Sequence, residues 1–367
     1  MLRLFKLLIF LGFLALFCGS VGLGFLFILS GGDPIGYARA SYLRLSIASR
    51  QDELERPVSS DPTERYFAIE QGESLYDIAL KLQSENLILD TQLFIDYMIV
   101  EKLDTQVQSG VFFLSQMMTI PEIARTIINQ ENAGIVFAVL PGSRIEEIAQ
   151  NVDETPRFTF SGDDFLLQVS EGAQIDPIIS TMLGIPPGAS LEGFLLPGTY
   201  ILSPNVTPVG LRDTLIEGFI EGVGSQLLQD TNKQGLSMRD AVSIASIVER
   251  EAVWDDEHTL IASVYRNRLN VNMRLEADPT VQYALNGSRG KWWPNITIAD
   301  YRGVESPYNL YLNYGLPPGP IANPSLSAIR AAIYPAESSY LYFRARCDGS
   351  HYHQFSTTYD EHVANGC

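Results

Sequence analysis

Hydrophobic and polar positions divide the chain into four stretches. From Leu7 to Leu29 no charged residue occurs, and a helix rising about 1.5 Å per residue over such a run crosses a bilayer. Arg3 and Lys6 precede it. The run is too long for a cleaved signal peptide, and Gly-Ser-Val-Gly-Leu-Gly-Phe after Cys18 does not resemble a cleavage site. Residues 1–32 are therefore expected to form a cytoplasmic tip and a transmembrane signal anchor, with the rest of the chain outside the cytoplasm. Residues 33–64 mix Gly, Pro, Ser and charge without a sustained period and predict a stalk.

Between residues 65 and 150 a short strand, a Gly turn and an apolar helix start occur twice, at Tyr66 to Ala79 and at Val136 to Ala149. Phe67, Ala68, Gly72, Ile78 and Ala79 recur as Phe137, Ala138, Gly142, Ile148 and Ala149, so one strand-turn-helix unit is used twice at a fixed offset. Ser143 with Glu146, and Thr119 with Glu122, have the spacing of capping boxes.

Across residues 151–367, apolar helical patterns alternate with Pro/Gly-rich loops and a few short strands. Ser237 with Asp240 predicts a helix start, after which Ala241, Ile244, Ala245, Val248 and Ala252 share one face. Leu260, Ile261, Val264, Tyr265 and Leu269 make a second buried stripe, and Tyr340 to Phe343 predicts a buried strand. The expected fold class is α+β: a transmembrane helix, a small α/β domain at 65–150 and a larger mixed α+β domain at 151–367.

Lys and Arg total 25 against 43 Asp and Glu, a net charge of −18 that repels nucleic acid and excludes it as a partner. Cys347 and Cys367 bracket the C-terminal segment. They either pair in an oxidising compartment or stand as two unrelated thiols. No Cys/His cluster has metal-ligand spacing.

Glu192 is one of few ionisable groups in an apolar neighbourhood, Leu191-Glu-Gly-Phe-Leu-Leu-Pro197. Desolvation there would raise its carboxyl toward the range a general acid needs, although the same pattern suits a solvated turn. In Ala245-Ser-Ile-Val-Glu-Arg-Glu-Ala252, Glu249 and Glu251 flank the apolar face on opposite sides, and periodicity does not choose between them. Arg268 shares a stripe with Ile261, Val264 and Tyr265, so its guanidinium needs a fixed anionic partner or a sugar hydroxyl. Loops around Asp278, Tyr308, Asn309 and Asn323 set polar side chains between Pro and Gly constraints, which suits hydroxyl-rich ligands. His353 and His362 have no nucleophile signature nearby and read as satisfied structural histidines.

The segments Ser190 to Tyr200, Ala245 to Glu251, Val264-Tyr-Arg-Asn-Arg-Leu269 and Leu275 to Val281 together resemble the YceG-like family of endolytic murein transglycosylases. Ser306-Pro-Tyr-Asn309, Gly315 to Ile321 and the stretch from His353 to His362 continue the match in order. Tyr66 to Ala79 resembles the LysM module, a small glycan-binding fold, which makes the region 65–150 LysM-like. The family resemblance implies cleavage between N-acetylmuramic acid and N-acetylglucosamine in nascent glycan strands, leaving 1,6-anhydromuramyl ends. It places Glu192 at the catalytic position as lone acid and base, and 151–367 as the catalytic domain. Substrate contacts are expected from Glu249, Glu251, Asn267, Arg268, Asp278, Tyr308, Asn309 and Asn323. No cofactor or metal is expected; cell-wall synthases are expected partners and the cell membrane the location. One departure is Leu196-Pro-Gly-Thr199, where family members carry Asp in place of Gly198. Two alternatives stay open: a muramidase-type hydrolase in which Glu249, Glu251 or Asp278 activates water, and a non-catalytic wall-binding scaffold. A pyridoxal-phosphate lyase fits poorly, since Lys291 is the only lysine after Arg289.

Overall fold

The computed structural model describes Ile28 and residues 31–367. The apolar run expected to cross a membrane lies, apart from Ile28, outside these residues. Among the described residues no helix is long and apolar enough to cross one. The chain divides into two compact units, one ending at Gly134 and one beginning at Ile135.

The first unit contains α1 (Pro34–Ser49), β1 (Arg65–Ile69), α2 (Leu75–Ser84), α3 (Thr91–Val100), β2 (Gly110–Leu114) and α4 (Ile120–Ile127). The expected stalk is largely helical instead. Asp33 caps α1 by accepting from the Gly36 N–H at 2.9 Å, α1 packs on α3, and a turn at Gln51–Leu54 buries Leu54 in the core. Its apolar residues fall on several sides, with Ile35, Tyr42 and Leu45 exposed, while Leu43 is buried and Ile47 packs against the core that Leu54 joins. Strands β1 and β2 run antiparallel with Phe67 opposite Phe112, both fully buried beside Ile78, Leu82 and Phe94. Ser74 caps α2, and Thr119 with Glu122 forms the expected capping box at α4.

The second unit opens with the second copy of the repeat, β3 (Ile135–Val139) and α5 (Ile145–Asp153). It belongs here, rather than with the first unit as a division at residue 150 would have it, because β3 bonds along its length to β4 (Gly198–Leu202), with Phe137 opposite Tyr200. The expected Ser143–Glu146 capping box is displaced by one residue. Arg144 occupies the cap and donates its N–H to Glu147 at 3.0 Å, while Glu146 is drawn to the Arg144 guanidinium.

Between and after these strands come α6 (Gly162–Val169), α7 (Pro177–Leu183), α8 (Pro208–Lys233, interrupted at Gly224), α9 (Met238–Glu251) and α10 (His258–Asn270). Then follow α11 (Asp278–Ala284), α12 (Ile298–Gly303), α13 (Leu326–Ile333), the hairpin β5 (Tyr342–Ala345) and β6 (His353–Ser356), and α14 (Tyr359–Ala364). Ser237 and Asp240 start α9 as expected. Residues 241–248 of α9 are all buried, and the helix packs most extensively on α13 and then on α10. The strand expected at Tyr340 to Phe343 begins at Tyr342 and is half-buried, since its hairpin has two strands and covers α10 through Phe343 on Tyr265. Cys347 and Cys367 are bonded, closing the C-terminal segment over a separation of 20 residues.

A loop of this size predicts that replacing both cysteines by serine costs about 2–4 kcal/mol of stability. Urea unfolding should register that loss, and amide exchange should place it in β6 and α14.

Candidate active site

Three loops of the second unit converge on Asn323. The Gly142 N–H donates to the Asn323 carbonyl at 2.8 Å, and the Asn323 N–H donates to the Ser143 carbonyl at 2.8 Å. The side chain joins the third loop. Its Nδ2 donates to the Ser143 carbonyl at 3.0 Å and to Glu192 Oε1 at 2.9 Å, while its Oδ1 accepts from the N–H groups of Gly193 at 2.9 Å and Leu195 at 3.0 Å. Asn323 is fully buried, with both donors and both acceptor sites engaged.

Gly193 explains why the Glu192 backbone can lie so deep. Its φ is +90°, and a Cβ there would stand 2.5 Å from Pro320 and 2.8 Å from Val242. Only glycine fits, on both counts.

Glu192 is 2 % exposed. The Ile145 N–H, the first of α5, donates to its Oε1 at 3.2 Å. Burial pushes the carboxyl well above the usual carboxylate range and Glu146 adds to the rise, against the opposing pull of Arg144 and of the Ile145 N–H. Asn323 donates to Oε1, and the Ile145 N–H is shared between Oε1 at 3.2 Å and Oε2 at 3.4 Å, so Oε2 is the less engaged oxygen.

Beside this acid lies a stack of cation and rings. Arg144 is 1 % exposed, its guanidinium 4.2 Å from the Tyr283 ring centre and 5.1 Å from that of Trp292. It also donates to Glu146 and, at 2.9 Å, to Asn286 Oδ1. Trp293 donates its Nε1–H to Glu147 at 2.9 Å and lies under the Arg250 guanidinium at 3.9 Å. Tyr308 packs on Tyr283 with ring centres 4.8 Å apart, and burial raises both phenols, with the Glu192 charge contributing. The second unit therefore surrounds a protonatable acid with aromatic faces and a fixed guanidinium, a setting suited to donating a proton to a ligand oxygen.

Of the expected substrate contacts, Asn323 bonds Glu192 and Tyr308 lies close enough to feel its charge. Four others are committed elsewhere. Glu249 accepts from the Ser325 N–H at 2.9 Å and its hydroxyl at 2.6 Å, capping α13. Asn267 donates to the carbonyls of Ser338 and Tyr340, and Asn309, fully buried, donates to those of Tyr301 and Val304. Arg268 spends Nε on the Leu341 carbonyl and Nη1 on that of Leu275, with Glu276 as anionic partner at 3.4 Å. Glu251 and Asp278 meet in a separate cavity. His353 is satisfied as expected, by Glu257 at 2.8 Å. His362 is not, for its Nδ1 is buried with no hydrogen-bond partner among the described residues.

Arg144, Glu147 and Tyr283 do not stand out in the sequence, and Glu146 does so only as a capping residue. A signal existed in the repeat: at the matched offset, Ser74, Tyr76 and Asp77 of the first copy become Arg144, Glu146 and Glu147 of the second. The changes fall where the second copy faces the acid.

Comparison with known proteins agrees in extent with this architecture. The YceG-like family matches residues 67–366. The endolytic murein transglycosylase of Streptococcus pneumoniae serotype 2 strain D39 is 27 % identical over 343 residues, which cover 88 % of this chain and 59 % of that protein. The chain thus spans about three fifths of that relative's length. The endolytic murein transglycosylase of Bacillus subtilis strain 168 is 29 % identical over 322 residues, covering 84 % and 86 % respectively. A crystal structure of a yceG-like protein from Listeria monocytogenes superposes with a TM-score of 0.54 at 28 % identity, covering 82 % of this chain and 98 % of that one.

Two outcomes follow from the geometry. Asn323→Ala strands two buried N–H groups and should cost about 2–4 kcal/mol in chemical unfolding; a loss near zero would contradict the role given to its amide. Burial, with the Asp278 charge, pushes the Glu251 carboxyl from 4.5 up to about 7. The folded chain then holds a proton that the unfolded chain releases, so this stability is present below pH 4.5 and lost as pH rises through about 7. Glu251→Gln should flatten the decline of unfolding free energy over that window.

Proposed function

The chain belongs to the YceG-like family, and on that footing we propose that it is an endolytic murein transglycosylase. It cuts the bond between N-acetylmuramic acid and N-acetylglucosamine within glycan strands and leaves 1,6-anhydromuramyl ends. The observation that carries this reading is Glu192, buried and held protonated well above the usual carboxylate range.

Protonated Glu192 donates from Oε2 to the glycosidic oxygen as the bond breaks. The substrate's own acetamido group stabilises the developing cation. The muramyl 6-hydroxyl then closes on the anomeric carbon and returns its proton to Glu192, which is regenerated. Asn323 and the Ile145 N–H stabilise the carboxylate during the interval when it is charged, and the Arg144 guanidinium adds positive potential beside it.

A two-carboxylate hydrolase needs a second acid free to act. The carboxylates whose charge bears on Glu192 are Glu146 and Glu147, and both are engaged, by Arg144 and by Trp293 with the Arg144 N–H. The acids weighed for that role, Glu249, Glu251 and Asp278, have other partners. This favours the lyase reading.

We also infer a single-pass anchor at residues 1–32 in the cell membrane with the catalytic unit outside, a placement supported by the Cys347–Cys367 disulfide, which persists in oxidising compartments. The LysM-like reading of the first unit and contact with cell-wall synthases, whose nascent strands would be the substrate, belong to the same proposal.

The full-length chain incubated with uncrosslinked glycan strands should give anhydro ends by mass spectrometry, and Glu192→Gln should slow their formation by about 10²–10⁴-fold. Reducing ends in their place would mean hydrolysis. Unchanged cleavage by the variant would remove Glu192 from the mechanism.

A further inference from the structure

The second unit holds another polar cavity, of about 370 Å³, where the last turn of α9 and the face of α10 meet the start of α11 and the β5–β6 hairpin. Glu251 enters it from α9 and accepts the Tyr265 phenol on Oε1 at 3.1 Å. Asp278, the first residue of α11, accepts phenols from Tyr311 at 2.6 Å and Tyr301 at 3.4 Å. Two guanidiniums line the same space. Arg268 is anchored by the carbonyls described above, and Arg344 of β5 donates to the His362 carbonyl at 3.3 Å. The buried, unpartnered His362 Nδ1 belongs to a ring that also lines the cavity.

Each of these charged groups is fixed from its protein side, by phenols or by carbonyls, and lines the cavity with the rest of its polar surface. A volume of this size lies in the ordinary range for a small-molecule pocket. The mixture of signs decides what fits. A bare metal ion would meet two guanidiniums, and a phosphate would meet Glu251 and Asp278. Arg268 already has Glu276 as ion-pair partner, but a neutral sugar would leave Glu251, Asp278 and Arg344 with none among the described residues. A ligand carrying both an amine and a carboxylate answers both sets at once.

We propose that this cavity binds the peptide stem borne by the glycan strand, with Glu251 and Asp278 receiving its ammonium group and Arg268 and Arg344 its carboxylate. The inference rests on the murein reading above and deepens it, since it assigns the peptide part of that substrate a seat of its own. The Glu251 carboxyl, raised by burial and by Asp278 and opposed by Tyr265 and Arg268, titrates at about 7. Glu276, His353 and His362 also face the cavity. An arriving ammonium favours the ionised carboxylate, so binding displaces a proton below neutrality and tightens as pH rises.

The test is calorimetric titration of the full-length chain in detergent with L-lysyl-D-alanyl-D-alanine, at about pH 6 and about pH 8. Expected are tighter binding at the higher pH, loss of binding when both amines are acetylated, and weakening by about tenfold or more in Glu251→Gln together with loss of the pH effect. Glu192→Gln should bind the tripeptide as the wild type does. Asp278→Asn serves as a second variant should Glu251→Gln fail to fold. Equal binding by Glu251→Gln, equal binding of the acetylated tripeptide, no binding at all, or displacement of the tripeptide by peptide-free glycan would each overturn the proposal. Tripeptide binding without anhydro ends would instead remove the transglycosylase reading and leave the cavity's assignment standing; anhydro ends without tripeptide binding would do the reverse.

Discussion

The second unit depends on one side-chain amide. Asn323 holds the loop after β3, the loop carrying Glu192 and its own Pro-rich loop in register through four side-chain hydrogen bonds and two backbone ones. No other residue type offers two donors and two acceptor sites in so small a volume except glutamine, whose extra methylene would not fit a fully buried site without displacing its neighbours. A hydrophobic replacement would leave the Gly193 and Leu195 N–H groups with nothing to bond, and the Ser143 carbonyl with the backbone N–H of residue 323 as its remaining donor. The acid is therefore positioned by backbone that is itself positioned by one amide.

Around that amide the charges are arranged in tiers. Arg144 sits between Glu146 and a face of aromatic rings, so its charge is spent on a fixed neighbour and its plane on Tyr283 and Trp292. Glu147 is held by the tryptophan that Arg250 covers. Arg250 in turn lies against Gly142, where a Cβ would approach it to 3.1 Å. Glu249, next in the chain, caps α13. Consecutive residues of α9 thus serve both the site's edge and the helix packed on α9, which ties the acid's surroundings to the core.

Local features were legible in sequence, and long-range ones only where several motifs pointed to the same place. Ser237 and Asp240 announce α9 because a cap and a period need no distant partner. Glu192 stood out through the ordered motifs around it rather than through its own neighbours. Glu249, Asn267 and Asn309 were expected to contact substrate, yet identity alone does not say whether a polar side chain serves a ligand or the fold, and here each bonds backbone or a cap. The helix at Pro34–Ser49 escaped notice because its apolar residues are spread around it rather than gathered in one stripe. Arg144 escaped because its meaning lies in rings over a hundred positions away in the chain.

In the reaction proposed above, the depth at which Glu192 lies would bear on the fate of the cation formed beside it. A carboxyl 2 % exposed, with aromatic rings and an arginine crowding its neighbourhood, leaves little room for solvent next to the reacting carbon. Two nucleophiles compete for that carbon in chemistry of this kind, one tethered to the sugar and one arriving from bulk. Tethering confers a large effective concentration, and burial thins the supply of the rival. On that proposal, the burial that raises the Glu192 carboxyl also biases the partition between ring closure and hydrolysis, so that acidity and product identity would be two consequences of the same dryness.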